Sequence, residues 1–300
     1  MQLIDAHIHL ASPRYPDVAG LVARAQAAGI AGVVAAAVDE TSSRHILAMQ
    51  QAFPAFVRGG LGVHPERHVT DEETERVLAL IRQERPRLTA IAEVGLPWYT
   101  VRERPDRERL IAAGEPRLRR FLQLARELDL AVVLHAPHAA AERALALLEA
   151  EGIERALFHW HKAAPEVTRA IVEGGYCVSV TPETCYRERD RELVAAVPLT
   201  NLLLETDGPW PYGGEFEGHP TEPTFLRRLV EEVAAIKGLA VAEVAEIIAH
   251  NAARLFQLND GLLPLSLRER AGCGKLRGSK AAWECGRASE GRSVAKVDCG

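Results

Sequence analysis

Ile4-Asp5-Ala6-His7-Ile8-His9, almost at the amino terminus, has the alternation of a β-strand. Successive side chains of a strand point to opposite faces, so Asp5, His7 and His9 are expected on one face and Ile4, Ala6 and Ile8 on the other. Two imidazoles on one face can hold one metal ion. A His-x-His pair by itself is more often an ordinary polar pair, so ligands elsewhere in the chain decide between the two readings.

Downstream, short apolar runs alternate with segments of helical spacing. Strand-like runs fall at residues 2–7, 30–38, 57–63, 88–94, 130–135, 156–160, 176–180 and 201–205. Helical spacing falls at 18–28, 42–52, 72–85, 116–128, 139–151, 165–173, 187–196 and 224–237, the third introduced by Thr70 and Asp71 as caps. Strand then helix, eight times over, predicts an α/β fold of the (β/α)8 TIM-barrel type in a single domain. The run Gly32-Val33-Val34-Ala35-Ala36-Ala37-Val38 is apolar on both faces, as a strand covered on both sides must be. A doubly wound open sheet is the rival architecture, but no Gly-x-Gly-x-x-Gly turn follows the first strand to support its nucleotide-binding form. Residues 241–258 predict one additional C-terminal helix. The barrel domain is therefore placed at 1–258 and a loosely ordered tail at 259–300.

The 300 residues are 47% hydrophobic, enough for a substantial core. No run of about 18 uninterrupted apolar residues suggests a membrane span. The amino terminus enters a strand without a basic-then-apolar leader, and a cytoplasmic protein is expected, monomeric or a small homo-oligomer. Net charge is -5, which argues against a broad basic surface for nucleic acid, although a metal centre binds phosphate locally whatever the overall charge. The five Cys show no Cys-x-x-Cys zinc pattern, and Cys177 and Cys185 read as reduced, packed residues.

Chemistry gathers at the strand ends. His7 and His9 end the first strand, Glu93 the fourth, His135 the fifth and His159 the sixth, while Asp207 follows the eighth. All six then lie on the carboxyl rim, where barrel enzymes place their chemistry. Four imidazoles and two carboxylates exceed the needs of one ion and suit two divalent cations about 3.5–4 Å apart, bridged by a carboxylate.

Together with Gly62-Val63-His64-Pro65, Glu93-Val94-Gly95-Leu96, Glu205-Thr206-Asp207-Gly208-Pro209 and Asn251-Ala252-Ala253-Arg254-Leu255-Phe256, this set resembles the TatD-related metal-dependent hydrolases, the TatD-type deoxyribonucleases of the amidohydrolase superfamily. The resemblance covers residues 1 to about 258. It implies a TIM barrel holding one or two divalent ions, zinc, manganese or magnesium. His7 and His9 would bind the first ion with Asp207, His135 and His159 the second, and Glu93 would bridge. It further implies hydrolysis by hydroxide formed at the metal, with Asp207 as general base, on phosphodiester bonds in the manner of a 3'-5' exonuclease. DNA or a nucleotide-containing molecule is the expected substrate. Asp5 either orients a histidine or is a buried carboxylate bonded to backbone.

The chain also departs from its relatives. The fifth-strand segment reads His135-Ala136-Pro137-His138 and the late segment Gly218-His219-Pro220-Thr221-Glu222-Pro223, so two arginines able to hold phosphate bidentately are missing. Lys162, Arg102 or Arg187 can supply a phosphate contact instead, or stand as solvated surface cations. His64, His161 and His219 are expected substrate contacts. His45, His68 and His250 read as surface or helix residues, and Trp98, Trp160 and Trp210 as loop packing or base-stacking faces. A metal-dependent hydrolase of carbon esters or amides, such as an aminoacyl ester or lactone, needs no arginine pair and is the alternative. A barrel with structural metals that only binds a partner is the third reading, and it has no use for a base at Asp207.

Overall fold

Strands built of Val, Ile, Leu and Ala on both faces need cover on both, and this chain provides it by curling a parallel sheet inside a ring of helices. The computed structural model describes residues 2–258; the tail expected at 259–300 lies outside the described residues. The strands are β1 (Leu3–Ile8), β2 (Ile30–Ala36), β3 (Val57–Leu61), β4 (Leu88–Gly95), β5 (Ala131–His135), β6 (Ala156–Phe158), β7 (Cys177–Val180) and β8 (Leu202–Leu204), paired in sequence order and each parallel to the next. Alternating with them are α1 (Val18–Ala27), α2 (Glu40–Ala52), α3 (Asp71–Glu84), α4 (Arg107–Leu128), α5 (Ala140–Ala150), α6 (Pro165–Glu173), α7 (Glu188–Ala196) and α8 (Leu226–Lys237), followed by α9 (Val241–Phe256). This is the (β/α)8 barrel with its additional helix.

Two buried layers follow from strand alternation. Ile4, Ala6, Val34, Ala36, Ala90, Ala92, Ala131, Val133, Leu157, Cys177 and Leu203 form one cluster whose only helical members come from α9, among them Ala252 and Phe256. That cluster is the barrel interior, plugged by α9. Asn251 fixes the plug by donating from Nδ2 to the carbonyls of Leu199 (2.7 Å) and Leu202 (2.9 Å). The other strand faces pack on α1 to α8.

Helix ends follow local chemistry. Thr70 caps α3 by accepting from the Glu73 N–H, and Asp71 is the first helical residue. α4 starts at Arg107, well before the expected 116, with Pro116 inside it. Proline favours a first helical turn, which suggests a start there. The apolar face of Ile111, Leu118, Leu122 and Ala125 nevertheless continues through it, and burial of that face carries the helix across.

Two irregularities aim the site. In β1, Asp5 pairs with Val33 and Ile8 with Ala35, three steps against two; in β4, Ile91 pairs with Val132 and Val94 with Leu134, again three against two. An extra residue re-aims side chains locally. Strict alternation over residues 4–9 therefore fails: Ile4 and Ala6 face the interior, but Ile8 joins the outer layer. Asp5 parts from the imidazoles. Its carboxyl takes the Thr206 N–H (3.0 Å) and lies 2.5 Å from Thr206 Oγ1, besides meeting the His7 N–H at 3.3 Å. Of the two expectations for Asp5, the backbone-bonded one holds. With Asp207 N–H on the His7 carbonyl (3.0 Å) and His9 N–H on the Gly208 carbonyl (2.8 Å), it joins the chain beyond β8 to β1 where no strand ladder does.

Burial pushes the Asp5 carboxyl from 3.8 up to about 8, against hydrogen bonds from Thr206 that favour the charge. The folded protein thus keeps a proton that the unfolded chain releases. The stability this contributes is complete below about pH 4 and lost as pH rises through about 8. Asp5→Asn cannot ionise yet can keep both bonds to Thr206, so its denaturant-unfolding stability should decline less than wild type between those pH values. Parallel profiles would refute this.

Candidate metal centre

A carboxylate taken out of water must be paired or neutralised. Glu93, only 1% exposed, meets five imidazoles. Its Oε2 lies 3.4 Å from His7 Nε2 and 3.3 Å from His9 Nε2; its Oε1 lies 2.7 Å from His159 Nε2, 2.8 Å from His135 Nδ1 and 3.3 Å from His64 Nε2. Asp207 Oδ1 is 3.5 Å from His7 Nε2 and 3.3 Å from His9 Nε2, and those two nitrogens are 3.4 Å apart. All six residues expected at the rim come together here.

The donors fit divalent ions. Among His7 Nε2, His9 Nε2 and Asp207 Oδ1, one group whose donors are near enough to share an ion, the separations just given run from 3.3 to 3.5 Å. Four ligands about 2.0–2.1 Å from one ion in a tetrahedron are spaced about 3.3–3.4 Å from one another. Glu93 Oε2 and Asp207 Oδ1 are buried without a hydrogen-bond partner, so their lone pairs are left for a shared cation. Two further groups share Glu93: His7, Glu93 and His159, and His64, Glu93 and His135, with His159, His135 and His64 all on Glu93 Oε1. His64, expected to touch substrate, stands in the last of these groups.

Electrostatics agree with an anionic cage. Burial opposes ionisation of Glu93, but the surrounding histidines outweigh it and hold the carboxyl well below its usual range. Burial likewise opposes the Asp207 charge, and the neighbouring His9 and His7 imidazoles more than compensate. His9 resists protonation through burial, yet Asp207 and Glu93 push it up to about 10. Burial lowers His7, helped by repulsion from His159. Cations entering the cage compete with these protons, so affinity for metal falls with pH.

Residues 4–257 match the family described as TatD related DNase. The chain belongs to this family. It is 32% identical over 269 residues to the deoxyribonuclease TATDN3 of Homo sapiens, covering 85% of this chain and 94% of the relative. It is also 32% identical over 270 residues to a 3'-5' ssDNA/RNA exonuclease TatD of Pantoea vagans, covering 85% and 100%. The crystal structure of YJJV, a TatD homologue from Escherichia coli, superposes with a TM-score of 0.76 at 24% identity, over 85% of this chain and 98% of that one, and so shares the fold.

Around this TatD centre, a second ring of groups fixes the histidines. Glu205, fully buried, has Oε1 3.2 Å from His159 Nδ1 and takes the Ser179 hydroxyl at 2.5 Å on Oε2. Glu66 Oε1 lies 3.2 Å from His135 Nε2, and the Ala36 carbonyl 3.2 Å from His9 Nδ1. Partners on the far ring nitrogen set tautomer and orientation. Glu66 also accepts the N–H groups of Trp98 (2.6 Å), Tyr99 (2.8 Å) and Thr100 (2.9 Å), so it pins the loop after β4. Spacing alone singles out neither glutamate. The available signal was an acid beside a ligand motif, in His64-Pro65-Glu66 and Glu205-Thr206-Asp207. Gly95 serves close approach: a Cβ there would sit 1.9 Å from the His135 carbonyl oxygen.

Two of the expected substrate contacts lie away from the ligand groups. His161 does not share a face with His159, because Trp160 between them takes a left-handed backbone (φ 38°) after β6 has ended. His161 is instead buried, its Nε2 2.8 Å from the Thr168 hydroxyl of α6 and its ring against Phe158. His219 is exposed and belongs to none of the three ligand groups found among the described residues. Lys162 lies beside Glu183 and over the Trp160 ring. His45 and His68 are exposed, as expected.

Glu66→Ala should free both the loop at 98–100 and the His135 ring, lowering metal affinity or turnover about 10–100-fold. Metal titration of the purified variant checks it. Wild-type affinity together with wild-type turnover would remove Glu66 from the support of the centre.

Proposed function

We propose that this protein hydrolyses phosphodiester bonds of nucleic acid with divalent ions held by His7, His9, Glu93 and Asp207 on one side and by Glu93, His135 and His159, joined by His64, on the other. The observation that carries the reading is the division of Glu93, whose two oxygens serve separate groups of imidazoles. The names of the human and Pantoea relatives, a deoxyribonuclease and a 3'-5' ssDNA/RNA exonuclease, support the bond type. Nitrogen-rich ligation without sulfur favours zinc or manganese over magnesium.

Divalent ions bound there supply Lewis acidity, making water a nucleophile near neutral pH and polarising a phosphoryl oxygen. The protein's own groups divide the remaining work. Asp207 and Glu93 are both held ionised, but Asp207 is 8% exposed against 1% for Glu93. Asp207 therefore faces the entering water and accepts its proton, while Glu93 stays between the two ligand groups. A left-handed backbone at Asp207 (φ 44°), which aspartate tolerates better than most residues, carries this side chain to the centre. Glu205 and Glu66 hold His159 and His135 against rotation as substrate enters.

The test is stripping with chelator, reloading with zinc, manganese or magnesium, and assay on single-stranded DNA and bis-p-nitrophenyl phosphate. At equal metal content, Asp207→Asn should lower kcat about 10²–10⁴-fold with little change in KM. Unchanged turnover would remove Asp207 as the base, and a wild type inert on both substrates with every metal would sink the reading.

A further inference from the structure

We propose that Lys162 and Arg189, organised by Glu183, are specificity-determining residues that bind a phosphate group of the substrate; this deepens, and rests on, the phosphodiester reading above. Both stand at the carboxyl rim. Lys162 lies three residues beyond His159, Glu183 in the 3-10 turn Pro182–Cys185 that follows β7, and Arg189 in the first turn of α7. Glu183 is buried. Its Oε2 accepts from Trp160 Nε1 (3.1 Å) and Arg189 Nη2 (2.9 Å), and its Oε1 pairs with Arg187 Nε at 2.7 Å.

Lys162 is the unusual member. Its side chain is only 11% exposed, its ammonium sits 3.7 Å above the Trp160 ring, and its nearest carboxylate oxygen, Glu183 Oε2, is 3.6 Å away. That separation is too long for a hydrogen bond, and an ammonium has three N–H groups to place. Among the described residues none takes a hydrogen bond from it. A covered cation with spare donors at the mouth of an anion-cleaving site is suited to the oxygens of an incoming anion. Burial lowers the Lys162 pKa, and a bound phosphate would favour the charged form again.

Arg189 complements it. Its bonds to Glu183 and Asp190 all run through Nη2, so Nε and Nη1 donate to neither acid, and its side chain is 46% exposed. Arg187, Arg189 and Lys162 face two carboxylates, Glu183 and Asp190, which leaves one positive charge in surplus. The cluster thus stands where a phosphate ligand is needed and where the segments 135–138 and 218–223 offer no arginine. Aromatic faces flank it: Tyr99, 42% exposed, has its ring 5.9 Å from that of His135, and Trp210, 53% exposed, packs 5.5 Å from Trp160. A planar group attached to the phosphate, such as a nucleobase, finds a stacking surface on either side.

The test uses the full, metal-loaded chain and inorganic phosphate as probe. Calorimetric Kd is measured for wild type, for Lys162→Met, which keeps an unbranched side chain beside Trp160, and for Arg189→Gln, whose amide can still donate to Glu183. Unfolding midpoints confirm that both variants are folded. Each should weaken phosphate binding about tenfold, the loss expected for a charge-assisted hydrogen bond. Each should also lower kcat/KM more on bis-p-nitrophenyl phosphate than on uncharged p-nitrophenyl acetate. Equal phosphate affinity in all three proteins overturns the proposal even if the diester is cleaved. Cleavage of the acetate alone, with phosphate affinity still dependent on Lys162 and Arg189, overturns the phosphodiester reading and supports the phosphate-binding cluster.

Discussion

One buried carboxylate governs this molecule. An ionised Glu93 in the mouth of an apolar barrel would be several kcal/mol too costly without compensation, and compensation comes from five imidazoles drawn from β1, the segment after β3, β5 and the end of β6. No single supersecondary unit can supply them. Closing eight strands into a ring brings all their carboxyl ends to one rim, and the extra residues in β1 and β4 then turn His7 and Glu93 toward it.

The barrel and its ligands are legible in the sequence because both rest on local signals. Runs such as residues 30–38 have the length and composition of covered strands, and each ligand sits at the end of such a run. What depends on neighbouring strands is not legible. Alternation along 4–9 predicts one face for Asp5, His7 and His9, but pairing with β2 inserts an extra residue and sends Asp5 to Thr206. Two-residue spacing predicts one face for His159 and His161, but the positive φ of Trp160 ends that parity. Glu66 and Glu205 act only through histidines 69 and 46 positions away, a relation no local pattern carries.

A net charge of -5 speaks against a broad basic surface, and the fold shows how an acidic protein can still address an anion. Cations concentrate in the loops after β6 and β7, where Glu183 and Asp190 hold the arginines close together at the rim. Strand ends thus carry the ligand groups, while the cations stand on the loops beyond them.

The bond between Asp5 and Thr206 spans 201 positions. Strands β1 to β7 each find their partner one element away as the chain is synthesised, but His7 and His9 must wait for Asp207, which arrives with the last strand. α9, which plugs the barrel, follows later still. No amino-terminal fragment ending before residue 207 contains the complete centre. The centre is therefore completed in one late step of synthesis, and a chain that stops earlier carries most of the ligands without Asp207.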